Sequence, residues 1–147
     1  MYKKIKFVLI ILVALTITFS GCTKDGIDPN APAVVVKYEI VSSDLVLGGS
    51  VGSGNYNVNY TNESGVKILE SVNKSFKTWT KQVTVNASQR PITVMFDVSG
   101  FVESLSANVI INVYENDSLR GTFVCPVRDI GFPAFLFDGE IDNIKIK

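Results

Sequence analysis

The segment Ile92-Thr-Val-Met-Phe-Asp-Val-Ser99 carries the clearest structural pattern in the chain. Its apolar residues recur at every second position, which is the period of a β-strand that buries one face. The same alternation occurs in Val36-Lys-Tyr-Glu-Ile40 and in Tyr56-Asn-Val-Asn-Tyr60. No segment beyond residue 22 has the 3.6-residue periodicity of an amphipathic helix. The pattern therefore predicts a chain built from strands.

Turn residues separate the apolar segments at intervals of about 8–12 residues, as in β-sandwiches. We expect Ser99-Gly100 to end one strand, and residues 42–55 to form a long crossing or a weak edge strand. The prediction for residues 34–147 is an all-β domain, an antiparallel, immunoglobulin-like β-sandwich that lacks the Cys–Trp–Cys pattern of true immunoglobulin domains. About seven strands are predicted, at residues 34–40, 56–61, 66–72, 79–85, 92–99, 107–114 and 119–125.

Two residues bear on chemistry inside this domain. We expect Trp79 to lie in the core between the sheets; the alternative is a solvent-facing platform for a ligand. Cys125 follows two apolar residues and has no disulfide partner within the domain, so it is expected to be a small buried apolar group. A catalytic thiol needs a nearby base, and the chain contains no histidine. We therefore predict that the protein is not an enzyme and binds no cofactor or metal ion.

The first 22 residues have the layout of an export signal. Three lysines precede the apolar stretch 7–19, and Ser20-Gly21-Cys22 follows it. A membrane-spanning helix needs about 20 apolar residues, so this stretch is closer in length to a signal peptide. The segment resembles a bacterial lipoprotein signal of the Bacteroidetes kind. The resemblance implies cleavage before Cys22, lipid on its thiol and a place in the cell envelope, at the outer membrane on its periplasmic or its surface side.

The chain accordingly divides into three parts. Residues 1–21 are the predicted signal peptide, and residues 22–33, rich in Pro, Gly, Asn and Asp, are a predicted flexible tether. Residues 34–147 form the folded domain. The whole chain has 14 basic and 14 acidic residues, and three lysines would leave with the signal. A slightly acidic mature protein has no basic footprint for nucleic acid. The lipoprotein resemblance implies that the partners are the membrane, through Cys22, and an envelope protein or ligand.

The order of several short motifs resembles the MmpS-type β-sandwich. These motifs are Val36-Lys-Tyr-Glu-Ile40, Tyr56-Asn-Val-Asn-Tyr-Thr-Asn-Glu-Ser-Gly65, Trp79-Thr-Lys-Gln-Val-Thr-Val85 and Asn108-Val-Ile-Ile-Asn-Val-Tyr-Glu-Asn-Asp117. The resemblance implies a small domain on the outer side of a membrane that accompanies a large exporter of lipids or siderophores. The predicted function is a non-enzymatic, lipid-anchored accessory or binding module, and the alternative is a surface adhesin or glycan-binding lipoprotein.

Several segments are candidates for binding or modification. Loops and sheet faces supply most binding sites in sandwiches, which favours residues 48–54, 73–78 and the aromatic stretch 130–137; that stretch alternatively covers the core. Asp138-Gly-Glu-Ile-Asp142 offers three carboxylates for Ca²⁺ or, alternatively, a turn before a terminal strand. Asp117-Ser118-Leu119 resembles the O-glycosylation motif of Bacteroidetes-type bacteria, which makes Ser118 a candidate acceptor.

Overall fold

The computed structural model describes residues 28, 30–48, 57–131 and 134–147. The predicted signal, Cys22 and most of the predicted tether lie outside these residues. Every strand pairing is antiparallel, so the predicted all-β, sandwich-like fold is confirmed. The strands are β1 Val34–Leu47, β2 Asn57–Thr61, β3 Lys67–Ser71, β4 Phe76–Val85, β5 Ile92–Val102, β6 Val109–Glu115, β7 Ser118–Cys125, β8 Val127–Arg128 and β9 Phe135–Ile146.

The strands form two layers. One layer has the order β4-β1-β6-β7, and the other has the order β3-β2-β5-β9-β8. Alternate residues of β1 and β5 are buried between the layers, as the sequence alternation predicts. The described residues contain no helix that is long and apolar enough to cross a membrane.

Strand β1 belongs to both layers. Its residues 34–42 pair with β4 and β6. After an irregular stretch Val46 still pairs with Phe76 of β4, but Val46 and Leu47 also pair with Val102 and Phe101 of β5. In that stretch the hydroxyl of Ser42 accepts a hydrogen bond from the Asp44 amide, at 3.2 Å. Side chains of this kind can replace ladder bonds where a strand bends. The two layers are therefore one continuous sheet of nine strands that folds over on itself.

An aromatic cluster fills the centre of the core. The ring of Tyr38 lies 5.2 Å from Phe96 and 5.5 Å from Tyr60, measured between centroids. Trp79 stacks on Phe96 at 6.1 Å and is half-buried. Trp79 thus faces inward at the margin of the core, which agrees with the core interpretation and not with a solvent-facing platform.

The strand count differs from the predicted seven because tertiary pairing extends the strands and adds two. Ser99-Gly100 does not end β5: Gly100 is buried opposite Phe137 and stays extended because β9 pairs with every residue of β5 from Phe96 to Val102. Strand β4 already begins at Phe76, inside the predicted loop 73–78, and pairs there with Val46. The tail forms β8 and β9, and Asp138–Asp142 lies within β9 and is not a turn.

Candidate functional site

One end of the molecule receives the incoming chain. We call it the tether end, because β1 begins there at Val34. The guanidinium of Arg90 holds this end together by donating hydrogen bonds to the carbonyl oxygens of Pro32 and Lys147, both at 2.9 Å. The turns 62–66 and 116–117 lie at the same end, as the strand registers require.

The opposite, distal end gathers the described parts of all three predicted binding segments. The amide of Gly48 donates a 3.0 Å hydrogen bond to the hydroxyl of Ser75. A Cβ atom at Gly48 would lie 2.2 Å from the carbonyl carbon of Lys74, so only glycine permits this approach. The tail segment joins the same end through the pairing of Phe135 with Val102. Ala134 and Phe137 are buried and Phe135 packs against the core, which agrees with the alternative that this stretch covers the core. Residues 49–54, 132 and 133 lie outside the described residues.

Five of the eight exposed large apolar side chains of the described residues lie in the distal half, whereas Val66 and Leu119 adjoin the turns of the tether end and Leu69 lies in the middle of β3. Val41, Ile110 and Val124 form one cross-strand row on the outer face of the β4-β1-β6-β7 layer. Val41 and Val124 are exposed, and Ile110 between them is half-buried. Leu105, in the loop after β5, and Ile130, after β8, are exposed at the same end. Contiguous exposed apolar surface commonly marks an interaction site.

A polar cluster lies on the same outer face, nearer the tether end. The carboxylate of Glu39 accepts hydrogen bonds from the Tyr114 hydroxyl at 2.8 Å and from the side-chain amide of Asn112 at 3.2 Å. It also forms an ion pair with the ammonium group of Lys37 at 3.4 Å. Partial burial raises the pKa of Glu39, but these three contacts outweigh it and hold that pKa below its usual value. Sequence analysis missed this cluster, because only the register of β1 against β6 brings its members together.

A cavity of about 490 Å³, largely open to solvent, lies at the surface beside β7 and β9. Its walls include Phe123, Pro126, Asp138 and Glu140, with Asp97, Val98, Ser99 and Gly139 completing the lining. Asp138 forms an ion pair with Arg128. The carboxylate of Asp97 accepts hydrogen bonds from the side-chain amide of Asn59 at 2.5 Å and from the ammonium group of Lys67 at 2.8 Å. Glu140 has no hydrogen-bond or ion-pair partner among the described residues.

The structure does not assemble the calcium site considered from the sequence. Asp138 and Glu140 line the cavity, but Asp142 does not. Within the described ranges no group of three or more Asp, Glu, His or Cys side chains is arranged to hold a metal ion. The alternation of carboxylates at 138, 140 and 142 reflects the strand period of β9.

Cys125 is buried, as predicted, with 3% of its surface exposed. Its Sγ atom packs against Gly139 so closely that a Cβ atom on residue 139 would overlap the sulfur. Burial, with a smaller contribution from the charge of Asp138, raises the pKa of this thiol to about 12. The thiol therefore stays neutral at physiological pH and is a poor nucleophile.

Ser118 is the exposed first residue of β7. It follows a two-residue turn in which Asn116 and Asp117 have φ values of 46° and 64°, the conformation of a type I′ hairpin. The Asn116 side chain ties this turn to β1 by accepting a 2.9 Å hydrogen bond from the Val35 amide. Ser118 is thus accessible at a rigid tip, and its modification stays a prediction.

Comparison with protein-family models, with curated proteins and with solved structures found no match to this chain.

Proposed function

We propose that this protein is a non-enzymatic, lipid-anchored binding module of the bacterial cell envelope that engages a partner protein with its distal end. The observation that carries the proposal is the placement of the three candidate segments. Gly48, the loop at Lys74 and Ser75, and the tail at Phe135 lie at the end opposite Val34, where the predicted tether joins β1. A module held at one end is free to contact a partner with the other.

The surface chemistry supports a protein partner. Val41, Ile110 and Val124 form one contiguous apolar row in the distal half, and contiguous exposed apolar surface is typical of interaction sites. Leu105 and Ile130 are exposed at the same end. The accessory role beside an envelope exporter is the one that the MmpS resemblance implies, and it belongs to this proposal.

A surface adhesin or glycan-binding lipoprotein is the second candidate. Such a module would present a row of aromatic side chains on which sugar rings stack. In the described part of the chain Phe123 is the exposed aromatic residue, whereas Tyr38, Tyr60, Phe96 and Trp79 pack into or against the core. No aromatic row in these residues favours the second candidate over the first.

The anchor is tested by metabolic labelling with a clickable fatty acid. The wild-type chain is expected to take up label, and Cys22→Ala is expected to take up none. Ser20→Ala is the matched control, since a small residue stays in place before the cysteine and labelling should persist. Equal labelling of wild type and Cys22→Ala would contradict the lipid anchor.

The binding end is tested by site-specific photo-crosslinking in cells. A photoreactive residue is placed at Leu105, at the distal end, or at Val66, which is similarly exposed at the tether end. We expect Leu105 to yield an adduct with one envelope protein, identified by mass spectrometry, and Val66 to yield none. Adducts from Val66 alone, or adducts with glycan alone, would overturn the proposal.

A further inference from the structure

The free edges of the sheet differ in how well they are protected against pairing with another strand. Inward-pointing charges and short lengths are the usual protections. Lys81 of edge strand β4 points inward and forms an ion pair with Glu70 at 3.1 Å. Edge strand β3 has five residues. Strand β9 is interrupted near Asn143, which has a φ of 59°.

Strand β7 lacks these protections along its second half. It has eight residues and, within the described part of the chain, pairs only with β6. Its single charged residue, Arg120, lies in the first half and is held by Glu115. From Gly121 to Cys125 there is no proline and no charge, so this edge can accept a strand from another chain.

The two faces of β7 offer different chemistry to such a strand. Val124 is 61% exposed and lies on the outer face, in the apolar row with Ile110 and Val41. Phe123 is 40% exposed and faces β9, with a ring carbon 3.0 Å from the position of a Cβ on Gly139. One face therefore suits apolar side chains, and the other opens toward the cavity.

The cavity beside Phe123 suits a cationic side chain. Its volume of about 490 Å³ is within the usual range for ligand pockets. The exposed Glu140 has no hydrogen-bond or ion-pair partner in the part of the chain that the structure describes, while Asp138 is neutralised by Arg128. An aromatic wall next to an unpaired carboxylate fits an ammonium or guanidinium group on an aliphatic stem.

We propose that the partner enters as an extended strand that pairs with the free edge of β7, with apolar side chains on the Val124 face and a Lys or Arg side chain in the cavity beside Glu140. This inference rests on the proposed function, because it names the partner segment that the module would engage. Main-chain hydrogen bonds would provide affinity, and the alternating side chains would provide specificity.

The test uses the full-length lipoprotein in detergent and a fluorescent nine-residue peptide, Thr-Val-Thr-Val-Lys-Val-Thr-Val-Thr. Its valines share one face of the extended chain, and its lysine lies on the other. Binding is measured by fluorescence anisotropy. We expect saturable binding of this peptide, weaker binding when Glu replaces Lys, and no binding when alternate backbone amides are methylated. Equal binding of the three peptides, or binding of none, would overturn the inference.

Charge reversal in the protein locates the site. Glu140→Lys is expected to weaken binding of the lysine peptide by about tenfold, as loss of a charge pair at an interface does. Asp142→Lys on the same strand is the matched control, because Asp142 is exposed, as Glu140 is, but does not line the cavity. Far-UV circular dichroism verifies that both variants fold. Equal loss of binding in the two variants would contradict a specific site at Glu140.

The other occupant of this edge would be a second copy of the chain. Sedimentation velocity of the wild type decides this: a dimer that Val124→Lys dissociates would replace the proposed partner strand and overturn the inference. Peptide failure does not decide the proposed function, since the Leu105 crosslink reports separately on whether the distal end engages an envelope protein.

Discussion

The phenolic hydroxyl of Tyr38 donates a 2.7 Å hydrogen bond to the backbone carbonyl of Thr61. Tyr38 lies on β1 in one layer, and Thr61 ends β2 in the other layer. Both residues are buried. The bond therefore links the two layers at the centre of the core, where an unpaired carbonyl would have no water to replace the donor.

Tyr38→Phe is expected to destabilise the domain by about 1–3 kcal/mol, because it keeps the ring but leaves the buried Thr61 carbonyl without a donor. Chemical denaturation measured by tryptophan fluorescence provides the free energy of unfolding. Tyr114→Phe is the matched control: its hydroxyl serves Glu39 on the outer face, where water can replace it, and the loss should be smaller. Equal losses in the two variants would show that the buried bond is not special.

Trp79→Ala is expected to lower the stability by about 3 kcal/mol, the lower part of the range for truncating a large buried aromatic. Trp79 is half-buried and stacks on Phe96, so some of its surface is already wet. Differential scanning calorimetry compares it with Leu105→Ala, an exposed truncation that should stay within about 0.5 kcal/mol of wild type. A loss of stability below about 1 kcal/mol for Trp79→Ala would contradict the burial of Trp79 and favour a solvent-facing side chain.

Deletion of residues 48–54 should leave the fold intact. Leu47 pairs with Phe101, and Asn57 pairs with Ser99, so the two ends of the segment lie two positions apart along the same edge of β5. The deletion leaves two residues where the register needs one, and a β-bulge accommodates the extra residue. We expect a melting temperature close to that of wild type and a weaker Leu105 crosslink. Unfolding of the deletion variant would show that the segment is structural.

Gly139→Ala is expected to destabilise the domain by about 1–3 kcal/mol, since the new methyl group would overlap Cys125 Sγ and press on Phe123. Adding Cys125→Ala removes the sulfur atom and should recover most of the loss, which a double-mutant cycle measures. Additive losses would mean that the two residues are not coupled.

Cys125 should resist alkylation by iodoacetamide until the domain unfolds. The pKa of the Cys125 thiol is about 12 in the folded domain, whereas the pKa of an unfolded cysteine thiol is about 8.5. The folded state disfavours the thiolate, so the stability contributed by the neutral thiol is complete below about pH 8.5 and is lost as the pH rises toward 12. Burial likewise raises the pKa of Tyr38. Mass spectrometry of the alkylated protein between pH 7 and pH 10, in the presence and absence of denaturant, is the measurement. Rapid native labelling at pH 8 would contradict the burial of this thiol.

The local sequence was sufficient to predict most strands and the side chains that each of them turns toward the core. Apolar residues at 92, 94, 96 and 98 alternate because the pleat sends successive side chains to opposite faces, and all four are buried. The hairpin turn at 115–118 and the burial of Cys125 were predictable for the same reason: turn residues and apolar neighbours act over a few positions.

Pairing between distant segments was not predictable from these local signals. Gly100 stays in a strand because β9 pairs with it, and residues 127–146 carry too little alternation to indicate two strands. The Glu39 cluster joins residues more than 70 positions apart, and no single segment shows that a carboxylate will meet its donors.

The sequence by itself determined the all-β class, the inward rows of the strands and the burial of Cys125, because these depend on a two-residue period and on nearby turns. Only the tertiary structure decided that β1 passes from one layer to the other, that three candidate segments lie opposite the tether end, and that the described residues leave one edge of β7, near Glu140, unpaired. These features depend on strand register, which is set by the packing of the whole core and not by any one strand.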